Sequence, residues 1–109
     1  MSQRIIKLNN LIKQHLGEIL QRELSMKPGV FLTIAKVDTT ADLRYTRVSI
    51  SVFPFKEANY AMKTIKKEIF SIQGALNGKL AMRPLPRLQF VLDETEEEAD
   101  KIEKILADL

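Results

Sequence analysis

The sequence has no cysteine and only one histidine. Without cysteine there are no disulfides, no thiolate nucleophile and no sulfur ligand for a metal, and a reducing, cytoplasmic setting is the expectation. His15 has no Asp or Cys partner at ligand spacing, so it reads as a boundary residue of an amphipathic helix. There is no Walker-type loop and no Gly-x-Gly-x-x-Gly. Asp38, Asp42 and Asp93 suit turns and strand ends better than a metal cluster. No catalytic, cofactor-binding or metal-ligating residue is expected, and the chain reads as a non-enzyme. Aromatic residues are scarce: Tyr45 and Tyr60 are the only tyrosines, and the five phenylalanines fall mostly in core-like positions. No apolar run approaches the roughly 18 residues a membrane span needs. After Arg4 and Lys7 the first residues alternate polar and apolar, unlike a signal peptide.

What is present is a basic body with an acidic end. Residues 1–90 carry 15 Lys/Arg against 6 Asp/Glu, and residues 91–109 carry 2 against 8. A body at +9 beside a tail at −6 points to a polyanionic partner for the body. The basic residues fall into three groups: Lys63, Lys66 and Lys67; Lys79, Arg83 and Arg87; and Arg44 with Arg47. Cations in such groups suit phosphate contacts, which give affinity without sequence readout. These eight residues are the candidate RNA-binding set. The competing reading is a protein-interaction module, recruiting a partner through the acidic last helix or an edge of the sheet.

A length of 109 residues fits one domain over 1–109, with residues 93–109 as an acidic terminal helix. Residues 2–24 carry a helical stripe of Ile5, Leu8, Ile12, Leu16 and Ile19, with Ser2 as N-cap and Pro28-Gly29 as its stop. Strands are predicted at Val30–Asp38, Tyr45–Phe53 and Arg87–Leu92. In the second, Val48, Ile50 and Val52 point one way while Arg47, Ser49 and Ser51 point the other. From Ala58 to Leu80 the apolar residues Ala58, Met62, Ile65, Ile69, Ile72, Leu76 and Leu80 recur every three or four positions, the spacing of one helical stripe. Gly74 and Gly78 lie within it, so a kink is expected between Ile69 and Gly78, giving two helices in series. Thr95 with Glu98 offers a capping box for the last helix. The order is α-β-β-α-α-β-α. It makes an α+β domain with a three-stranded mixed sheet, an antiparallel hairpin beside a parallel pair and the helices on one face.

That layout is similar to a K-homology-like domain of the second type. The chain also resembles the ribosome-binding factor A family, the bacterial factors for small-subunit maturation. The resemblance rests on the amphipathic helix from Arg4, on Asp42-Leu43 before the strand Val48-Ser49-Ile50-Ser51-Val52, and on Arg83, Pro86, Leu88, Phe90 and Asp93 in their spacing. It implies a type II K-homology fold whose Gly-x-x-Gly loop is replaced by a kink at Ala-x-Gly. Here Glu68-Ile69-Phe70 stands at those positions, Gln73 follows Ile72 where arginine is usual, and Gly74 is the alternative seat for the kink. The family's function implies partners: the immature small ribosomal subunit, near the ends of its rRNA, and the assembly GTPases alongside which it acts. A monomer without cofactor is expected.

Overall fold

The computed structural model describes residues 2–82 and 85–95. Helix α1 spans Gln3–Glu23, strand β1 Phe31–Thr39 and strand β2 Tyr45–Phe53. A short 3-10 turn over Phe55–Glu57 leads into α2 (Ala58–Lys67), α3 (Ile69–Lys79) and β3 (Arg87–Leu92). The terminal helix, with Arg83 of the candidate set and Glu98 of the capping box, lies outside the described residues.

Ser2 starts α1, its hydroxyl accepting from the Ile5 N–H at 3.2 Å. The helix ends before Pro28-Gly29, because Leu24 turns extended and buries its side chain in the core. Gly29 then makes the turn with φ of 87°. In the sheet, order β1-β2-β3, β1 and β2 are antiparallel and β2 and β3 parallel. The parallel pair is the reason for the long α2–α3 crossover.

One sheet face takes the helices. On β2 that face is Thr46, Val48, Ile50 and Val52, all fully buried. On β1 the same face switches parity, with Leu32 and Ile34 opposite Val52 and Ile50 but Val37 and Thr39 opposite Val48 and Thr46. A bulge at Ala35 makes the switch, adding one unpaired residue so that even and odd positions serve one face. Helix α1 lies against β1 and α3, and α2 against β2 and β3. Their stripes, Ile12, Leu16 and Ile19 from α1, Ala61 and Ile65 from α2, Ile72 and Leu76 from α3, close the core. Each of the isoleucines and leucines among them contributes about 1.5–3 kcal/mol.

A polar chain is embedded in that core. Thr39 donates its hydroxyl hydrogen to Asn9 Oδ1 at 2.6 Å, so Thr46, at 2.9 Å, must donate to Thr39. All three residues are buried, and together they fix α1 over the β1–β2 pair. Thr39→Val keeps the shape but leaves Asn9 Oδ1 and the Thr46 hydroxyl without these partners. A loss of about 1.5 kcal/mol is expected in urea unfolding.

The break in the crossover falls at Glu68, one residue before the expected interval, and not at Gly74. Glu68 has φ −102° and ψ 14°, a conformation open to any residue, so no glycine is required. Its N–H is shared between Thr64 O and Ile65 O, and its carbonyl starts α3 by accepting from the Ile72 N–H at 3.0 Å. The break lets Ile65 and Ile72, three and four residues either side, both become fully buried. Helix α3 runs unbroken through Gly74 and Gly78, both on its exposed side with no atom near a would-be Cβ.

Candidate nucleic-acid interface

The seven described candidate cations do not gather at one place. Lys63, Lys66 and Lys67 are exposed at the end of α2, off the stripe made by Ala58, Ala61 and Ile65. Ion pairs among the described residues join Lys27 to Glu57 at 2.7 Å and Arg44 to Asp42 at 3.8 Å, so no described carboxylate neutralises these lysines. They also stand at the C-terminal end of α2, where cations suit the helix dipole. Immediately past the break, Phe70 is 90% exposed.

The arginines gather where the crossover ends, at the starts of β2 and β3. The Arg87 N–H donates to Arg44 O at 2.9 Å, and Tyr45 is the register partner of Arg87. Arg4, from the first turn of α1, joins Arg44, Tyr45 and Arg87 around a cleft of about 510 Å³. Arg47 faces a neighbouring recess with Tyr45 and Gln89. Lys79 is exposed at the end of α3. None of the three α2 lysines lines the arginine cleft.

The loop between β1 and β2 positions Arg44. Asp42 accepts from the Thr40 hydroxyl at 2.6 Å and the Arg44 N–H at 3.1 Å, while Leu43 takes a left-handed φ of 61°. The Asp-Leu pair is thus a turn device beside the cleft. The Thr40 hydroxyl, then the Arg44 N–H, hold the Asp42 carboxyl below its ordinary value of 3.8. A carboxyl lowered on folding supports the fold fully above its unfolded pKa and loses that support as pH falls through the folded value. The stability difference between wild type and Asp42→Asn is therefore expected to close as pH drops below about 3.8 in urea melts. Asp93 also serves structure, accepting from the Thr95 N–H at 3.2 Å and its hydroxyl at 2.8 Å.

Other side chains are committed to the fold. Tyr60 accepts from the Lys27 N–H at 3.0 Å and lies under the Lys27 ammonium, 4.9 Å from the ring centroid, so it offers no free stacking face there. His15 is partly exposed on α1, and its Nδ1 is buried without a partner among the described residues. Gln73, which the resemblance sets at an arginine position, is also committed to the fold. Its Oε1 accepts from the Leu88 N–H at 2.9 Å, and its Nε2 donates to Pro86 O at 3.2 Å and to Asn77 Oδ1 at 3.0 Å. It is a clamp holding the outer edge of β3 to α3.

Among the described residues, no three His, Cys, Asp or Glu side chains group closely enough to hold a metal, and no helix is long and apolar enough to cross a membrane. The expectation that the phenylalanines are core residues is overturned for Phe31 and Phe53, each 63% exposed, as well as for Phe70. Phe31 and Phe53 are register partners on the sheet face that no described helix covers. Sequence reasoning had no means of seeing Arg4 in the cleft, because only the packing of α1 brings it there. For Phe70 a signal existed: it lies between Ile69 and Ile72, off the buried stripe.

A three-stranded mixed sheet with the three described helices on one face, two of them forming a helix–break–helix crossover, defines a type II K-homology-like domain. The family model "Ribosome-binding factor A" matches residues 4–106. The chain belongs to the ribosome-binding factor A family, which is not a known enzyme family. The factor of Chlorobium phaeobacteroides is 35% identical over 112 residues, covering 100% of this chain and 96% of that protein. The crystal structure of the Thermus thermophilus factor superimposes with a TM-score of 0.70 at 26% identity, over 81% of this chain and 93% of that one. A homology model of the Thermus factor, fitted into the cryo-electron-microscopy map of its complex with the 30S subunit, gives a TM-score of 0.67 at 27% identity, over 80% and 92% of the two chains.

Proposed function

We propose that this chain binds the free small ribosomal subunit as a monomeric, single-domain factor in the cytoplasm and assists late maturation and processing of its rRNA, alongside assembly GTPases. The observation that carries this reading is the likeness to the Thermus factor fitted into a 30S complex. The chemistry of the surface agrees with it. On this reading Lys63, Lys66 and Lys67 take phosphates at one region and Arg44, Arg47 and Arg87 at a second, with Lys79 and Arg83 the remaining candidate contacts. Cations grouped this way read backbone and shape rather than base sequence. On this reading the factor works by binding.

The maturation role is tested in cells lacking the factor. Precursor small-subunit rRNA should accumulate, wild type should clear it, and the Lys63→Ala, Lys66→Ala, Lys67→Ala triple variant should not. Normal processing in the deletion strain would remove the maturation role and leave binding alone.

A protein-interaction reading has one observation in its favour, the exposed Phe31–Phe53 pair on the open sheet face next to the unpaired edge of β1. The acidic helix that the same reading invokes lies outside the described residues.

A further inference from the structure

We infer that Phe70 is a stacking residue that receives an unpaired RNA base at the α2–α3 break, making this region a reader of single-stranded or bulged RNA as well as of phosphates. The inference rests on the RNA-binding role proposed above and names the kind of RNA its lysine region takes.

The side chain is 90% exposed, the most exposed large apolar side chain of the described residues. It contributes almost nothing to the core, which Ile65 and Ile72 close on either side of the break. A phenyl ring held in water lacks a structural reason for its position. The break at Glu68 supplies the geometry, since it turns the chain between the last lysine of α2 and the ring and places Phe70 in the first turn of α3. Helical backbone on both sides holds the ring's base at a fixed position.

The surroundings select the partner. Three exposed lysines precede Phe70 within seven residues, with no described carboxylate paired to them. No other large exposed apolar side chain lies on α2 or α3. A protein-binding anchor ordinarily sits in an apolar patch with a dry surround. A single exposed aromatic ring that follows three exposed lysines in sequence, with Glu68 the one acidic residue between, has the composition of a single-strand site, where the ring takes the base and ammonium groups take the flanking phosphates. Tyr60 is occupied by Lys27, so Phe70 is the ring of this region free to stack.

The full-length chain is tested against free small subunits and against their deproteinised rRNA. Stacking is worth about 1–3 kcal/mol per base, so Phe70→Ala should weaken both by roughly five- to a hundredfold. The salt slope should stay at the wild-type value, because removing a ring frees no counterions. The melting temperature should be unchanged. Phe70→Trp should restore affinity and Phe70→Leu should not. The wild-type sequence has no tryptophan, so Phe70→Trp also supplies a lone indole whose emission should be quenched by the deproteinised rRNA. Wild-type affinity for Phe70→Ala, with affinity still lost in the lysine triple variant, overturns the stacking role and leaves the phosphate site standing. An effect on subunits but none on deproteinised rRNA assigns the ring to a ribosomal-protein pocket and also overturns it. Unchanged binding in both variants removes the lysine region itself.

Discussion

Replacing Lys63, Lys66 and Lys67 together by alanine is expected to lower affinity for free small subunits roughly a hundredfold at 0.1 M salt, with one phosphate neutralised per lysine at about 0.7–0.9 logarithmic units each. The log–log salt slope should become shallower by about 2–3 for the same reason. Folding should be unaffected within about 0.5 kcal/mol, because all three side chains are exposed, make no ion pair with a described residue and give way to a better helix former. Filter binding across a salt series separates this from a general loss of structure. A parallel displacement of the line, with its slope unchanged, would show that the lysines do not touch phosphate. The region then to be changed is the arginine cleft, through Arg44 and Arg87.

The second large effect concerns stability. Gln73→Ala should destabilise the chain by about 3 kcal/mol, since it removes the acceptor of the Leu88 N–H and the donor to Pro86 O in one step. Leu88 is buried, so its N–H has no ready water replacement. For a chain of this size that corresponds to a fall of more than about 10 °C in melting temperature. Hydrogen exchange should localise the loss, with the Leu88 amide losing protection first and β3 separating from α3. A uniform loss of protection across the sheet would mean that Gln73 serves the whole core rather than this edge. The position carries arginine in the family pattern, so this chain has a structural clamp where a cation is usual. On the proposed function, phosphate contacts at the break are expected from Lys63, Lys66 and Lys67 instead.

The order of the described elements was legible because the patterns are local. Tyr45–Phe53 and Arg87–Leu92 match their predicted bounds, and the seven-residue stripe from Ala58 to Leu80 is the buried or half-buried side of α2 and α3. Gly74 and Gly78 point to a break further along the chain than the real one, whereas the family's kink position, Glu68-Ile69-Phe70, is where the break falls. Its cause is the packing of Ile65 and Ile72, which only the tertiary structure specifies, and Glu68 adopts the required dihedrals without strain. The bulge at Ala35 was likewise hidden, since an extra residue in one strand is defined by its pairing with β2. At the site, the exposed cations could be named from charge and periodicity. Their division into two regions, and the meeting of Arg4 with Arg87 across a sequence separation of more than eighty residues, depended on how α1 lies on the sheet. The expectation that the phenylalanines are mostly core-like, which rests on how often phenylalanine is buried, fails for Phe31, Phe53 and Phe70. Their exposure follows from an open sheet face for the first two and from the break for the third.

The central claim, binding to the free small subunit through rRNA phosphates, is tested most directly by co-sedimentation of the wild-type chain with purified free small subunits and with complete ribosomes at two salt concentrations. Binding to free small subunits that weakens steeply with salt, with little binding to complete ribosomes, is the predicted result. Equal binding to both particles, or binding indifferent to salt, contradicts it and turns attention to a protein contact through Phe31 and Phe53.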